Sequence, residues 1–344
     1  MNKIKIPLTL VLVLLISGIT QAQLFRSTTK VGTTAAQFLK IGAGARAIGM
    51  GNAQTALGGD IYSIYWNPAG LAGIQSSTEV TFNHAQWLAD ISYDFAAAVL
   101  NMGEIGVLSA SFTTMRVPED EVRTIAAPEG DGRTWDAGSI AITMGYSRNL
   151  TDRFSIGVQA KYIRESVWNT SASGFAIDIG TMYVTPFNDL VIGAAISNFG
   201  TKMRLDGRDL RFNYDPNDNL DTGPNNIPAL LMTDDFDLPL TFRIGLAMDL
   251  IQTRFFKVTA AVDATHPNDN SEYVNSGLEA SYDNMLFIRA GYKSLWKENS
   301  EEGLTLGAGV KYPVGNSMSV YFNYGYADYN RLENVQFVDV GLSF

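Results

Sequence analysis

Residues 241–250, TFRIGLAMDL, alternate between apolar side chains and small or polar ones. The apolar members occupy every second position: Phe242, Ile244, Leu246, Met248 and Leu250. Successive side chains of a β-strand point to opposite faces, so a period of two predicts a strand with one apolar face. An amphipathic helix would repeat its apolar residues every three to four positions, and this stretch does not.

The same alternation recurs from residue 77 to the end of the chain. It predicts fourteen strands, at about 79–84, 92–101, 104–114, 136–148, 153–165, 173–185, 189–199, 240–251, 255–265, 272–282, 285–294, 303–312, 317–326 and 336–344. Most of these segments suit a tilted strand that crosses a bilayer, which needs about 9–11 residues, better than the ~5–6 residues of soluble sheets. The last strand ends on Phe344 and is similar to the carboxy-terminal signature of bacterial outer-membrane barrels.

The connections between these segments alternate in length. The short ones are 101–103, 149–152, 186–188, 252–254, 283–284 and 313–316, and the long ones are 85–91, 115–135, 166–172, 200–239, 266–271, 294–302 and 327–335. Outer-membrane barrels pair short periplasmic turns with longer outer loops in this way. The sequence therefore predicts an all-β, antiparallel, up-and-down transmembrane β-barrel of fourteen strands over residues 77–344, surrounded by outer-membrane lipid.

Composition excludes several other classes of protein. Of the 344 residues, 46% are hydrophobic and 17% are charged, yet no apolar run after residue 22 approaches the roughly 20 residues of a membrane helix. A net charge of -10 argues against a nucleic-acid partner, which needs a basic surface. The chain has no cysteine, which excludes thiol catalysis, thiolate metal sites and disulfides.

The first 22 residues have the pattern of a secretory signal peptide. Lys3 and Lys5 precede an apolar stretch at residues 7–16, and Thr20 and Ala22 are small residues at the two positions that a signal peptidase reads. We expect Sec-type export, cleavage after Ala22 and localisation in the bacterial outer membrane.

Residues 23–76 are rich in glycine and alanine and lack the strand alternation. A glycine-rich loop that binds phosphate would need a preceding strand and a following helix, and the sequence indicates neither. Glycine also permits close approach of two backbones. We therefore predict that this segment folds into the barrel lumen as a hatch.

Residues 38–72, FLKIGAGARAIGMGNAQTALGGDIYSIYWNPAGLA, resemble the amino-terminal segment of the PorV/PorQ family, outer-membrane proteins related to the FadL fatty-acid transporters. The resemblance implies a FadL-like, fourteen-stranded barrel with a hatch in its lumen. It carries over a hatch motif of Trp66, Asn67, Pro68, Ala69 and Gly70. It also implies type IX secretion, with the translocon or exported cargo proteins as partners. Shorter outer loops and a fuller NPAGLA than in PorV favour a paralogue.

The strand registers direct a set of charged side chains into the lumen. The set contains Arg243, Asp249, Lys257, Asp263, Glu279, Arg289, Lys311 and Asp339, together with Lys161, Glu165 and Asp178. Charges in a low-dielectric interior persist only if they are paired or hydrated. They therefore predict either a salt-bridged filling or a charged, selective pore.

The longest loop, residues 200–239, contains an apolar segment between two acidic stretches. Its candidate partner-binding residues are Ile227, Leu230, Leu231 and Met232. An apolar patch outside the membrane often marks a partner site. The alternative is a lid that folds inward.

The sequence predicts no enzyme activity, no cofactor and no metal site, because His84 and His266 are the only histidines and cysteine is absent. The leading prediction is a PorV/PorQ-type barrel associated with type IX secretion or with surface attachment of exported proteins. The alternative is a FadL-like channel that takes up a hydrophobic small molecule, such as a fatty acid or an aromatic compound, through the lumen. A purely structural barrel is the third class.

Overall fold

The computed structural model describes residues 30–216, 227–297, 300–315 and 317–344. The predicted signal peptide, residues 1–22, lies outside the described residues. So does part of the acidic stretch in the longest loop.

Fourteen long strands, numbered here β1–β14, form one antiparallel sheet that closes on itself. They are Thr78–Gln86, Ser92–Asn101, Val107–Glu121, Thr134–Thr151, Phe154–Val167, Thr170–Val184, Val191–Gly200, Thr241–Gln252, Phe256–Pro267, Tyr273–Tyr282, Leu286–Leu295, Leu304–Val314, Met318–Asp328 and Asn334–Ser343. Closure is made by β1 and β14, which pair from Glu79 opposite Ser343 to Gln86 opposite Gln336. The predicted fourteen-stranded up-and-down barrel is confirmed.

Strand β8 shows why the alternating sequence folds in this way. Its outward side chains Phe242, Ile244 and Leu246 are 40–44% exposed, whereas inward Arg243 and Ala247 are 7% and 4% exposed. The nine residues from Phe242 to Leu250, at about 3.3 Å per step and tilted by about 40°, rise about 20 Å, which covers most of the roughly 25 Å apolar band of an outer-membrane barrel. The exposed apolar side chains therefore face lipid.

The predicted long loop at 166–172 is wrong. Strand β5 continues to Val167 and β6 begins at Thr170, so Trp168 and Asn169 alone connect them. Polar residues such as Ser166 and Ser171 still pair with each other across the two strands. The loss of apolar alternation therefore marks the edge of the membrane and not the end of the strand. Strands β3 and β4 likewise shorten the predicted 115–135 loop.

The connection between β7 and β8 projects beyond the barrel, and we call its described residues, 201–216 and 227–240, the outer arm. Within it, Arg211–Tyr214 pairs with Ile227–Leu230 in a separate two-stranded sheet. Met203 bridges to Phe236 nearer the barrel, and Asp206–Gly207 pairs with the start of β6.

Residues 30–77, the N-terminal segment, contain only short helices. These are the 3-10 helix Gln37–Lys40, the α-helices α1 (Ala45–Gly49) and α2 (Ser63–Trp66), and the 3-10 helix Pro68–Gly73. Other 3-10 turns lie at Leu88–Asp90, Gly103–Ile105, Arg208–Leu210 and Asn330–Leu332. In the described part of the chain, no helix has both the length and the apolar character needed to cross a membrane.

Candidate functional site: the filled lumen and the outer arm

Eight inward-facing glycines form much of the wall against which the N-terminal segment packs. They are Gly157, Gly180, Gly193, Gly245, Gly277, Gly291, Gly307 and Gly325, one on each of eight strands. A Cβ atom at any of them would lie 3.1 Å or closer to an atom of the segment. Wall and segment therefore meet backbone against backbone, which only glycine permits.

The predicted motif at residues 66–70 clamps the segment to this wall. Asn67 caps the helix Pro68–Gly73, with its Oδ1 accepting the Ala69 N–H at 3.1 Å. Its Nδ2 donates to the carbonyl of Thr55 at 2.7 Å and to that of Thr181, on β6, at 3.1 Å. One buried amide thus joins two parts of the segment to the barrel.

The two residues that flank this clamp are also tightly fixed. Trp66 Nε1 donates to the Ala43 carbonyl at 2.9 Å, and the Arg243 guanidinium lies 5.4 Å from the centre of the Trp66 ring. A Cβ at Gly70 would lie 2.5 Å from Ser63 Oγ. The motif is therefore a packed structural element with no free polar side chain pointing into a ligand cavity.

Wall carboxylates bind the backbone of the N-terminal segment directly. Glu165 accepts the Ala36 N–H at 2.9 Å. Asp263, fully buried, accepts the N–H groups of Gln54 and Thr55 at 2.9 and 2.8 Å. Hydrogen bonds to a charged acceptor are stronger than neutral ones, so these carboxylates hold the segment at separate points along its length.

The strongest connection is a network around Arg46 of α1. Arg46 donates to both carboxylate oxygens of Glu279, at 2.9 and 2.8 Å, and to Asp60 at 2.9 Å. Arg289 donates to Glu279 at 2.6 Å and to Asn323 at 2.9 Å. Burial alone would lower the pKa of Arg46, but Glu279 and Asp60 outweigh burial and raise it above its ordinary value. Arg46 therefore stays charged.

The remaining predicted lumen charges differ in their surroundings. Ion pairs join Lys161 to Asp178 at 2.9 Å and Lys257 to Asp249 at 3.0 Å. Asp339 is fully buried on β14. Lys311, by contrast, is exposed near the end of β12.

A second connection lies at the outer end of the segment, where Asp269 follows β9. Its carboxylate accepts hydrogen bonds from Thr34 Oγ1 at 2.8 Å, Gln37 Nε2 at 2.9 Å and Lys40 Nζ at 2.8 Å. Burial on its own would raise the pKa of Asp269, but these three donors prevail and lower it from 3.8. We call this cluster the outer latch.

The latch should weaken in acid. Because the pKa of Asp269 is lowered on folding, its contribution is complete above pH 3.8 and is lost as the pH falls through the lower native value. Asp269→Asn should destabilise residues 34–40 by about 1.5–3 kcal/mol at pH 7, the value of a hydrogen bond to a charged group. Hydrogen exchange of these amides, corrected for intrinsic rates, measures the difference. It should shrink near pH 3, and an equal difference at both pH values would contradict the latch. Asp283→Asn, on an exposed turn, is the control.

An apolar layer fills the outer half of the lumen, next to the latch. Phe38 of the segment packs among wall residues that include Tyr93 and Phe337, and all three are 2% exposed or less. Trp87 stacks edge-on against Tyr329 and Phe337, with ring centres 5.2 and 6.2 Å apart. This layer therefore joins the segment to the wall through buried apolar contacts.

The apolar residues predicted in the longest loop lie on the outer arm and face solvent. Ile227 and Leu230 are 40% and 54% exposed, and Leu231 and Met232 are 56% and 84% exposed. Phe212, 42% exposed on the paired strand, lies on the same face of this sheet as Ile227, and Leu230 lies on the opposite face. In this structure residues 227–232 lie outside the barrel and do not fold into its lumen.

Sequence reasoning missed the partners that the N-terminal segment supplies. Arg46, Asp60 and Lys40 are isolated charges in a glycine- and alanine-rich stretch, and that isolation was the available signal. Asp269 was missed because it lies in a short polar loop without a recognisable pattern.

Solved structures that resemble this barrel include two bacterial toluene transporters and a FadL homologue. The toluene transporter TodX of Pseudomonas putida aligns with 88% of this chain and 97% of its own, at 13% identity and a TM-score of 0.55. The toluene transporter TbuX of Ralstonia pickettii aligns over 88% and 97%, at 14% identity and a TM-score of 0.53. A FadL homologue of Pseudomonas aeruginosa covers 88% and 98%, at 13% identity and 0.53. At these identities the likeness establishes the FadL-like fold.

Sequence comparison establishes the family. No curated protein sequence matches the chain. The profile of the family described as "Type IX secretion system protein PorV" matches residues 25–227, more than half of the chain. Fold and profile agree on an outer-membrane protein, and the chain belongs to the PorV family.

Proposed function

We propose that this barrel works in type IX secretion by holding an exported protein, or a translocon subunit, at the outer surface through the outer arm. It reaches the outer membrane by Sec-type export, with the signal peptide removed after Ala22. Residues 23–76 serve as a hatch that closes the lumen. The partner surface contains Ile227, Leu230, Leu231 and Met232. This proposed role is binding and involves no enzymatic reaction.

One observation carries this proposal: the lumen is filled while the arm is exposed. The Arg46 network, the glycine contacts and the apolar layer around Phe38 all occupy the axis of the barrel. In this reading, the paired lumen charges are a filling that makes the barrel rigid and not a selective pore. Exposed apolar side chains on the arm, in contrast, lie where a protein outside the membrane can bury them.

The rival function is uptake of a hydrophobic small molecule through the lumen. It is supported by the shared fold of the two toluene transporters. It requires the N-terminal segment to move, because the described side chains around Phe38 are packed together and leave no open conduit among themselves.

Two variants separate these functions. The triple variant L230S/L231S/M232S removes apolar surface from the arm, and T34C/D237C ties the segment to the base of the arm, where Thr34 and Asp237 form a β-bridge. Neighbouring strands lie about 4.7–4.9 Å apart, within the ~4.4–6.8 Å between the Cα atoms of a disulfide. Secretion and surface attachment of type IX cargo are measured in the native host. We expect the arm variant to reduce attachment at least tenfold and the oxidised disulfide to have no effect.

The chain has no cysteine, so the introduced pair has no competing thiol. Addition of reductant restores the unlocked form and serves as the control for the disulfide. Ile125→Ser removes an exposed apolar side chain from a different loop. Loss of toluene or fatty-acid uptake on locking, with secretion intact in the arm variant, would establish the rival function.

A further inference from the structure

A cavity of about 290 Å³ lies on the periplasmic side of the N-terminal segment. Gly58 and Gly59 of the segment line it, together with residues of β1 and β9–β13. At about 30 Å³ per water molecule it holds roughly ten waters or one small ligand. It opens at the end of the barrel where the connections are short, which faces the periplasm.

The charges at the back of this cavity belong to the Arg46 network and satisfy one another. Two others remain available. Lys311 Nζ has no carboxylate within 4.0 Å among the described residues. Glu79 has no cation within that distance in the same part of the chain; it accepts a hydrogen bond from Ser76 at 3.3 Å and, at longer range, attracts Lys311, which lines the same cavity. The cavity thus presents one ammonium and one carboxylate that attract each other without being in contact.

We propose that this cavity binds a small zwitterion, a free amino acid or a dipeptide, with its carboxylate on Lys311 and its ammonium on Glu79. A purely anionic ligand would meet the carboxylates of Glu79 and Asp60, and a purely cationic one would meet Lys311 and Arg46. A ligand with both charges satisfies both sides through charge-assisted hydrogen bonds. Phe287 supplies an apolar surface in the same cavity for a side chain.

Isothermal titration of the full-length protein in detergent micelles tests the site with glycyl-phenylalanine, its carboxy-terminal amide and its N-acetyl form. The free dipeptide should bind, and each blocked form should bind about tenfold more weakly. Lys311→Met should weaken the dipeptide by the same factor without weakening the amide further. Glu79→Gln should behave in the same way towards the N-acetyl form.

Comparing the affinities of free phenylalanine and of the dipeptide shows which ligand length the cavity accepts. A tetrapeptide, which is too large for a cavity of about 290 Å³, should bind at least tenfold more weakly than the better of the two. Arg153→Met, exposed on the periplasmic turn between β4 and β5, should bind the dipeptide normally. Faster gel mobility of unboiled samples verifies that every variant is folded. Equal binding of the free and blocked forms, or no binding of free dipeptide or amino acid at millimolar concentration, would overturn the proposal.

Discussion

Replacing Arg46 with methionine should release the N-terminal segment from the barrel wall. The substitution leaves Asp60 without its cation and Glu279 with Arg289 alone. Removing one partner of a buried ion pair costs about 3–5 kcal/mol, because the remaining charge is uncompensated. We expect lower stability in urea and the appearance of ion conductance in planar bilayers, where the wild-type barrel stays closed.

The matched control is Arg116→Met. Arg116 is 72% exposed and lies 3.9 Å from Asp94, so its ion pair is worth about 0–1 kcal/mol. This variant should remain closed and lose little stability. If Arg46→Met matched it in both measurements, the network would not be what holds the segment in place.

The barrel could be predicted from sequence because successive side chains of each strand face lipid and the filled lumen in turn, and the residue types alternate with them. In β8, lipid selects Phe242, Ile244 and Leu246, while the filled lumen selects Arg243 and Gly245 on the other face. This logic ends where lipid ends. Beyond the membrane, both faces of a strand meet water, so the end of β5 at Val167 could not be separated from a loop.

The N-terminal segment could not be predicted in the same way. Its helices are four to six residues long and carry no usable period. Arg46 and Glu279 are 233 residues apart in sequence, and their contact depends on closure of the whole barrel. The alternation of side chains along each strand placed Glu279, Asp263 and Arg289 in the lumen. It could not predict which groups of the N-terminal segment they bind.

Replacing Gly180 with valine should displace the Asn67 clamp. Local propensity argues for a gain in stability, because glycine weakens strands and valine favours them. Packing argues the opposite: a Cβ at this position would overlap Asn67 Oδ1 and lie 2.9 Å from Pro68 Cδ. Asn67 is 1% exposed and cannot move without breaking its bonds to Thr55 and Thr181.

Packing should prevail, with a loss of about 3 kcal/mol, the upper end of ordinary overpacking costs, to which the broken hydrogen bonds add. Urea unfolding and protease cleavage within the N-terminal segment measure the effect. Gly303→Val is the matched control, since a Cβ there would come no closer than 3.8 Å to another atom. Equal stability of the two valine variants would mean that the N-terminal segment shifts to accommodate the valine side chain without a loss of stability. Greater protease cleavage in Gly180→Val alone would show that the wall needs glycine at the positions where the backbone of the N-terminal segment lies against it.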